Sequence, residues 1–229
     1  MRISTGSPIL DNLLQGGYET DIITTVYGPA GSGKTTLSLL AAISTYSRNK
    51  KIIYIDTEGG FSLERLKQLT PKWEKVLDYI IFLKPTTFSE QKQAFKKLKN
   101  LTADNIGMVI VDTIAMLYRL ELGKDNTLEV NRELGRQLNY LTELARKKNI
   151  PILVTNQVYA DFENPNNIKL VGGDILKYSS KCLIELKTLK AGNRLAILRK
   201  HRSIPDSAEV LFKITEKGLE KEKRGFRLF

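Results

Sequence analysis

The hydrophobic positions of this chain form short β-branched runs that alternate with longer segments of helical spacing. The apolar runs, each bounded by polar or glycine residues, predict strands at 22–27, 51–55, 79–83, 108–112 and 152–156. The helical spacing predicts helices at 34–47, 62–69, 89–101 and 128–148. Strands that alternate with helices are typical of an α/β fold, so we expect a mostly parallel central sheet with helices on both faces.

The pattern changes after Gln157, where a polar, asparagine-rich stretch leads to Gly172-Gly173. Two alternating segments then flank a turn at 190–193, which predicts an antiparallel hairpin made of 181–189 and 194–199. A further strand is expected at 210–214, followed by a frayed, charged tail from Glu216 onward. Since 229 residues carry no internal repeat or low-complexity linker, we expect residues 1–229 to form a single domain with an antiparallel C-terminal extension.

The most specific motif is GPAGSGKT at 28–35, which matches the phosphate-loop pattern GxxxxGK[ST] between a predicted strand and a predicted helix. A glycine-rich turn without a ligand is the alternative, and both flanks argue against it. The glycines let successive backbone amides turn inward around a β-phosphate at a helix N-terminus. Lys34 is expected on the β- and γ-phosphates, and the Thr35 hydroxyl on Mg²⁺. The predicted nucleotide-binding residues are Gly28, Gly31, Ser32, Gly33, Lys34, Thr35 and Thr36.

Three further polar residues follow predicted strands, at the carboxyl edge where α/β sheets hold ligands. Asp112 ends an apolar run and could organise the Mg²⁺ shell opposite Thr35. Glu58 could orient or deprotonate an attacking water, although an acid that caps the helix beginning near Ser62 fits the same segment equally well. Gln157 could sense the γ-phosphate and move the loop behind it.

The composition adds a polyanionic partner to this picture. The formal net charge is +11, from 36 Lys and Arg against 25 Asp and Glu, and residues 181–229 hold 13 basic and 6 acidic side chains. Such an excess favours nucleic acid, with a lysine-rich solvated surface as the alternative. One cysteine and one histidine exclude an intramolecular disulfide and a zinc cluster. Without a signal segment or an apolar span, we expect a soluble, cytoplasmic protein with no membrane partner.

The phosphate loop and seven further segments together resemble the catalytic core of the RecA/RadA recombinase family, most closely its short archaeal paralogues. The further segments, in chain order, are ISTGS at 3–7, DTEG at 56–59, the strand MVIVD at 108–112, LYR at 117–119, TNQV at 155–158, GGDIL at 172–176 and ITEKG at 214–218. The resemblance covers nearly the whole chain. It implies a RecA-like P-loop core that binds ATP and Mg²⁺, and a role in homologous recombination and DNA repair.

The same resemblance implies roles for individual residues of the site. Glu58 would activate water, Asp112 would serve Mg²⁺, and Gln157 would couple the γ-phosphate to the DNA-binding loop that follows it. Arg65 matches the position whose side chain stacks on adenine, a cation–π arrangement, with an ordinary surface arginine as the alternative. Two DNA-binding loops are implied at 119–127 and 159–173, and the cations in them that could meet phosphates are Arg119, Lys124 and Lys169.

The sequence departs from the recombinases in its assembly segment. Those proteins carry an N-terminal DNA-binding domain and a linker whose Phe-x-x-Ala hook enters the next protomer, whereas this sequence begins two residues before the core and contains no Phe-x-x-Ala. We therefore expect self-association, if any, to use other contacts. The favoured function is an accessory, weakly hydrolysing DNA-dependent ATPase that assists the recombinase RadA. The alternative is a regulatory scaffold in which ATP is a conformational switch for binding a recombinase or a Holliday-junction resolvase.

A second departure is the basic triplet Lys200, His201 and Arg202, which stands where the recombinases carry a segment that caps ATP across the subunit interface. These side chains could reach the nucleotide of a neighbouring subunit, as an arginine finger does, or they could bind DNA. A solvated strand end is the third interpretation.

Overall fold

The computed structural model describes residues 1–101, 104–160 and 168–222. The strands are β1 (Arg2–Ile3), β2 (Tyr18–Glu19), β3 (Ile23–Tyr27), β4 (Lys51–Asp56), β5 (Ile80–Leu83), β6 (Ile106–Asp112), β7 (Ile152–Asn156), β8 (Val158–Ala160), β9 (Ile168–Leu170), β10 (Cys182–Thr188), β11 (Asn193–Lys200), β12 (Glu209–Thr215) and β13 (Gly218–Lys221). The helices are α1 (Pro8–Leu13), α2 (Lys34–Ser47), α3 (Leu63–Leu69), α4 (Trp73–Asp78), α5 (Phe88–Leu101), α6 (Met116–Glu121), α7 (Thr127–Lys148) and α8 (Gly173–Ser179).

The main sheet has nine strands in the order β13-β12-β11-β10-β3-β7-β6-β4-β5. Neighbours from β10 to β5 are parallel, and β10, β11, β12 and β13 are joined antiparallel. This arrangement confirms the predicted parallel core with its antiparallel C-terminal extension. Because the carboxyl ends of β3, β4, β6 and β7 share one edge, the segments that follow these strands are brought together there.

Helices cover both faces of the sheet, which explains why its central strands β3, β6 and β7 are buried along their whole length. All seven residues of β6 are buried. On one face, Leu134, Leu138 and Leu141 of α7 are fully buried, so the leucine stripe predicted from the sequence packs on the sheet. On the other face, Leu37 and Leu39 of α2 are buried in a second cluster, which also includes Phe212 of β12.

Some elements differ from the sequence-based prediction. The frayed tail expected from Glu216 is wrong for Gly218–Lys221, which form β13 and pair with β12. Gly218 has φ 123°, so the chain reverses there at a position that favours glycine. The predicted loop 159–173 contains the short pair β8 and β9, and residues 161–167 lie outside the described residues. In the part of the chain that the structure describes, no helix combines the length and apolar character of a membrane span.

Candidate nucleotide-binding site

The phosphate loop joins β3 to α2 at the carboxyl edge of the sheet. Gly33 has φ 107° and precedes the first residue of α2, whose first amides have no partners within the helix. A Cβ on Gly28 would lie 2.5 Å from the carbonyl oxygen of Leu186, so the loop requires glycine there. The Ser32 hydroxyl is buried and has no hydrogen-bond partner among the described residues. An unpartnered buried hydroxyl beside free helix amides fits a phosphate oxygen.

Lys34 is held at this loop by backbone carbonyls. Its Nζ donates to the Gly28 oxygen at 3.0 Å and to the Pro29 oxygen at 2.9 Å, and the residue is only 8% exposed. Burial lowers the pKa of Lys34, while the negative charges of Glu58 and Asp112 raise it and so oppose that effect. The two predicted acids thus act electrostatically on the loop lysine, and neutral carbonyls are partners that a phosphate could replace.

Glu58 receives two hydrogen bonds on one oxygen. Its Oε1 accepts from the Thr113 hydroxyl at 2.8 Å and from Gln157 Nε2 at 2.7 Å, so the structure brings two predicted site residues into direct contact. Thr113 is itself fixed, because Thr57 Oγ1 donates to its carbonyl oxygen at 2.7 Å and accepts its amide at 3.0 Å. Glu58 remains exposed, which leaves its side chain open to a solvent-side ligand or water.

Asp112 is held more rigidly than Glu58. It is 4% exposed, and it accepts from the Tyr54 hydroxyl at 2.9 Å and from the Thr155 hydroxyl at 2.5 Å. Burial, and then the charge of Asp112, raise the pKa of Tyr54 well above its usual value, so this tyrosine stays a donor. Two neutral donors orient the carboxylate and leave it free acceptor sites for a cation or for the water around one.

Sequence reasoning missed Asp56, which shapes the turn that carries Glu58. Asp56 is buried, its Oδ1 accepts from the amides of Glu58 at 3.3 Å and Gly60 at 3.1 Å, and its Oδ2 accepts from the Phe61 amide at 3.2 Å. The turn approaches the phosphate loop closely, since a Cβ on Gly60 would lie 3.5 Å from Thr35 Oγ1. An Asp followed by glycines after a strand is a turn signal that could have identified this role.

Arg65 lies on α3, beside the turn between β12 and β13. Its guanidinium donates to the carbonyl oxygens of Thr215 at 2.7 Å and Glu216 at 3.3 Å, and to Gln68 Oε1 at 2.8 Å. Burial lowers the pKa of Arg65 and Glu216 opposes that change. These bonds anchor the side chain through its N–H donors, whereas stacking on adenine would use its planar face and stays a prediction.

The predicted DNA-contacting residues lie beyond the carboxyl end of β6. Arg119 is exposed on α6, and Lys124 is exposed in the segment between α6 and α7. Arg119 lines a cavity of about 460 Å³ together with Leu122 and Tyr159, next to β8 and β9. Lys169 is part of β9, but its side chain lies outside what the structure describes.

The basic triplet lies at the opposite, amino edge of the parallel strands, because Lys200 pairs with Leu183 near the start of β10. Among the hydrogen bonds of the described residues, none joins these three side chains to the phosphate loop of the same chain. Lys200 Nζ donates to the Lys177 carbonyl oxygen at 2.7 Å, and Arg202 Nε to Glu19 Oε2 at 2.6 Å. A role at the nucleotide of a neighbouring subunit stays a prediction.

The chain is similar to known proteins along most of its length. A family model described as Rad51 matches residues 1–222. The "DNA repair and recombination protein RadB" of Methanobrevibacter smithii is 39% identical over 225 residues, which cover 95% of each chain. The protein of the same name from Pyrococcus abyssi is 39% identical over 224 residues, covering 96% of this chain and 94% of that relative. The crystal structure of the RadB recombinase superposes with a TM-score of 0.82 at 38% identity, covering 96% of this chain and 100% of that chain.

Proposed function

This chain belongs to the Rad51 family, and on that premise we propose that it is a DNA repair and recombination protein that binds ATP and Mg²⁺ and hydrolyses ATP slowly in response to DNA. It assists a full-length recombinase. The observation that carries the proposal is the Gln157–Glu58 hydrogen bond at 2.7 Å, since it links the predicted catalytic acid directly to the segment that continues into β8 and β9.

The residues at the loop fit a nucleoside triphosphate with its metal. Lys34, the Ser32 hydroxyl and the free amides of α2 would hold the phosphates, and Thr35 and Asp112 would hold Mg²⁺ directly or through water. When bound, the metal supplies positive charge that offsets the charge developing on the phosphoryl oxygens. The chain contributes position, because Asp112 is fixed by two hydroxyl donors and the Glu58 turn by Asp56.

Glu58 is the group that would orient or deprotonate the attacking water. Thr113 and Gln157 both donate to its Oε1, so they restrain the carboxylate. The Gln157 carbonyl oxygen also accepts the Val171 amide at 3.3 Å, beyond the end of β9. A DNA strand that shifts β8 and β9 would therefore change the position of Gln157 and release or reorient Glu58, which supports DNA-dependent turnover.

The same contact also supports the regulatory alternative. An acid with two donors on one oxygen is a restrained base, so turnover without DNA should be slow. In the scaffold interpretation, ATP changes the Gln157 contact and so the surface that a recombinase or a Holliday-junction resolvase recognises. The charge of +11 supports contact with DNA, and Arg119, Lys124 and Lys169 are the cations within the two loops that would meet its phosphates.

The nucleotide assignment is tested by replacing the loop lysine. Lys34→Ala should weaken ATP binding in Mg²⁺ by about 100-fold or more, because a charge-assisted contact to phosphate is lost from a buried site. Isothermal titration calorimetry measures the ATP affinity of the parent, of Lys34→Ala and of Lys96→Ala. Lys96→Ala is the control, because it removes an exposed lysine from α5. Equal affinity in the parent and in Lys34→Ala would contradict the site.

The two functions are separated by hydrolysis rates with and without single-stranded DNA. An ATP-driven DNA transaction requires DNA to accelerate phosphate release, and DNA binding should weaken steeply as salt rises from about 50 to 200 mM, since phosphate contacts release counterions. If DNA leaves the rate unchanged while ATP alters affinity for a recombinase, the regulatory interpretation replaces the ATPase one. A flat salt response would remove the basic surface from the proposal.

A further inference from the structure

The antiparallel C-terminal strands form one wall of the phosphate loop. Strand β10 lies against Gly28, whose added Cβ would meet the Leu186 carbonyl oxygen at 2.5 Å. Strand β12 lies against Gly33, whose added Cβ would meet Ile214 Cδ1 at 2.6 Å. Strand β11 contacts the loop through Arg194. The loop therefore depends on strands that follow it by more than 150 residues.

Arg194 makes the most directed of these contacts. Its Nε and Nη2 both donate to the carbonyl oxygen of Gly31, at 3.2 and 3.1 Å. Its Nη1 donates to the Gly192 oxygen at 2.8 Å and to the Asn193 oxygen at 3.1 Å. The guanidinium thus joins the tip of the hairpin between β10 and β11 to the middle of the phosphate loop.

The Ser32 amide, which belongs to the same peptide group as the Gly31 carbonyl, donates to the Pro29 oxygen at 3.3 Å, and few other contacts fix Gly31. It is exposed, its φ is 70°, and a Cβ placed on it would meet no atom within 4 Å. A residue with this freedom can rotate its peptide planes unless a hydrogen bond prevents it. The forked contact from Arg194 supplies that restraint on the carbonyl side of the loop, opposite to the amides that would face a phosphate.

We propose that Arg194 is a positioning residue for the β-phosphate, which acts by holding the Gly31 peptide so that the loop amides point toward the nucleotide. The inference rests on the proposed nucleotide site and adds a residue to it. A cation on the outer carbonyl also polarises the peptide group and strengthens its single N–H donor, that of Ser32. A lysine cannot replace the fork, because two parallel N–H donors on one oxygen require the planar guanidinium.

The experiment compares ligands that differ in whether they carry a β-phosphate. Affinities for ATP, ADP and AMP are measured by titration calorimetry in Mg²⁺ for the parent, Arg194→Ala, Arg194→Lys and Lys190→Ala. Lys190 lies on the same hairpin and is exposed. Lys190→Ala is therefore the control, because it removes one positive charge just as Arg194→Ala does. We expect Arg194→Ala to bind ATP and ADP about 10-fold more weakly, with AMP unchanged, since only the β-phosphate uses the positioned amides.

Arg194→Lys should recover only part of the loss, and Lys190→Ala should match the parent. Thermal melting without nucleotide is the check on folding, and the melting temperatures of all variants should agree. An Arg194→Ala affinity equal to the parent's, or a loss that is the same for AMP as for ATP, would overturn the positioning role. If the alanine variant does not fold, full ATP affinity in Arg194→Lys overturns it. A parent that binds no ATP, or a Lys34→Ala variant that binds it normally, refutes the proposed site itself and the inference with it.

Discussion

Two clusters of charged residues lie at opposite edges of the sheet, and they differ in how far their hydrogen-bonding capacity is used. The carboxyl-edge cluster consists of Lys34, Glu58 and Asp112. The amino-edge cluster consists of Arg2, Glu19, Asp21, His201, Arg202 and Ser203. Both contain acids and bases, and both were singled out from the sequence, in part, as candidate chemistry.

The amino-edge cluster is closed. Glu19 is 8% exposed and accepts from Arg2 at 3.3 Å and from Arg202 at 2.6 Å, and Arg202 also donates to Asp21 at 2.9 Å. The His201 side chain is 1% exposed, and its Nδ1 accepts from the amides of Ser203 and Ile204, both at 3.1 Å. The charges of the amino-edge cluster are paired within the chain, as is typical of a structural network.

The carboxyl-edge cluster is open. Lys34 is bonded to neutral carbonyls, the nearby Ser32 hydroxyl has no described partner, and Glu58 is exposed. The presence of charged residues therefore does not mark a functional site. Hydrogen-bonding capacity that remains available for a ligand does. The comparison weakens the interpretation of Arg202 as an arginine finger, because that role would first require Arg202 to leave Glu19 and Asp21.

Glu58→Gln should give the largest effect and should be confined to function. Hydrolysis in the presence of DNA should fall about 100-fold, because the amide cannot accept a proton. The free energy of unfolding should change by less than about 0.5 kcal/mol, since Glu58 is exposed. Steady-state phosphate release and urea denaturation measure the two quantities, and ATP affinity by titration is the control. A large loss of stability with normal hydrolysis would show that Glu58 belongs to a closed network instead.

The positions of the two acids of the carboxyl-edge cluster and of Gln157 were predictable because one rule of sheet topology places them. Asp112 ends a predicted strand, and Glu58 and Gln157 each follow one; because parallel strands end at one edge, short-range patterns were enough to place all three there. Arg194 was not predictable, since its contact with Gly31 spans 163 positions and depends on the wall formed by the antiparallel strands. Thr113 was missed for a similar reason: its hydroxyl acts on Glu58 across neighbouring strands.

The basic triplet shows the limit of charge as a signal. The sequence presents Lys200, His201 and Arg202 as a cationic run, but the acids that pair with Arg202 lie about 180 positions earlier. Local patterns cannot reveal such neutralisation, because it depends on β1 and β2 lying beside the end of β11. Strand β13 was missed because its charged residues resemble a solvated tail, although every residue of Gly218–Lys221 pairs with β12.

Neutralising Glu19 tests the closed cluster. Glu19→Gln should lower the free energy of unfolding by about 2 kcal/mol, because it removes the charge between two arginines in a mostly buried position. Asp21→Asn is the matched control, because Asp21 is more exposed than Glu19 and asparagine tolerates the φ of 66° at this position. Its loss of free energy of unfolding should stay below about 0.5 kcal/mol. Both variants should bind ATP like the parent. A change in nucleotide affinity with unchanged stability would show that the amino edge serves the site after all.

The smallest expected effect is a pH dependence of stability that comes from His201. Burial lowers the pKa of His201 below its ordinary 6.5, Arg2 and Arg202 lower it further, and Glu19 opposes them. The unfolded chain therefore takes up this proton first, so the free energy of unfolding should be fully maintained above about pH 6.5 and should fall as the pH decreases below it. Since the chain has one histidine, urea denaturation between about pH 7.5 and 5.5 isolates this contribution from most carboxylates.

His201→Gln should keep an acceptor for the Ser203 amide and remove the slope of the free energy of unfolding against pH. A slope that persists in this variant would mean that another group titrates. An opposite slope in the parent would mean that the charge of Glu19 dominates the pKa of His201 and that the cluster gains a charge pair on protonation.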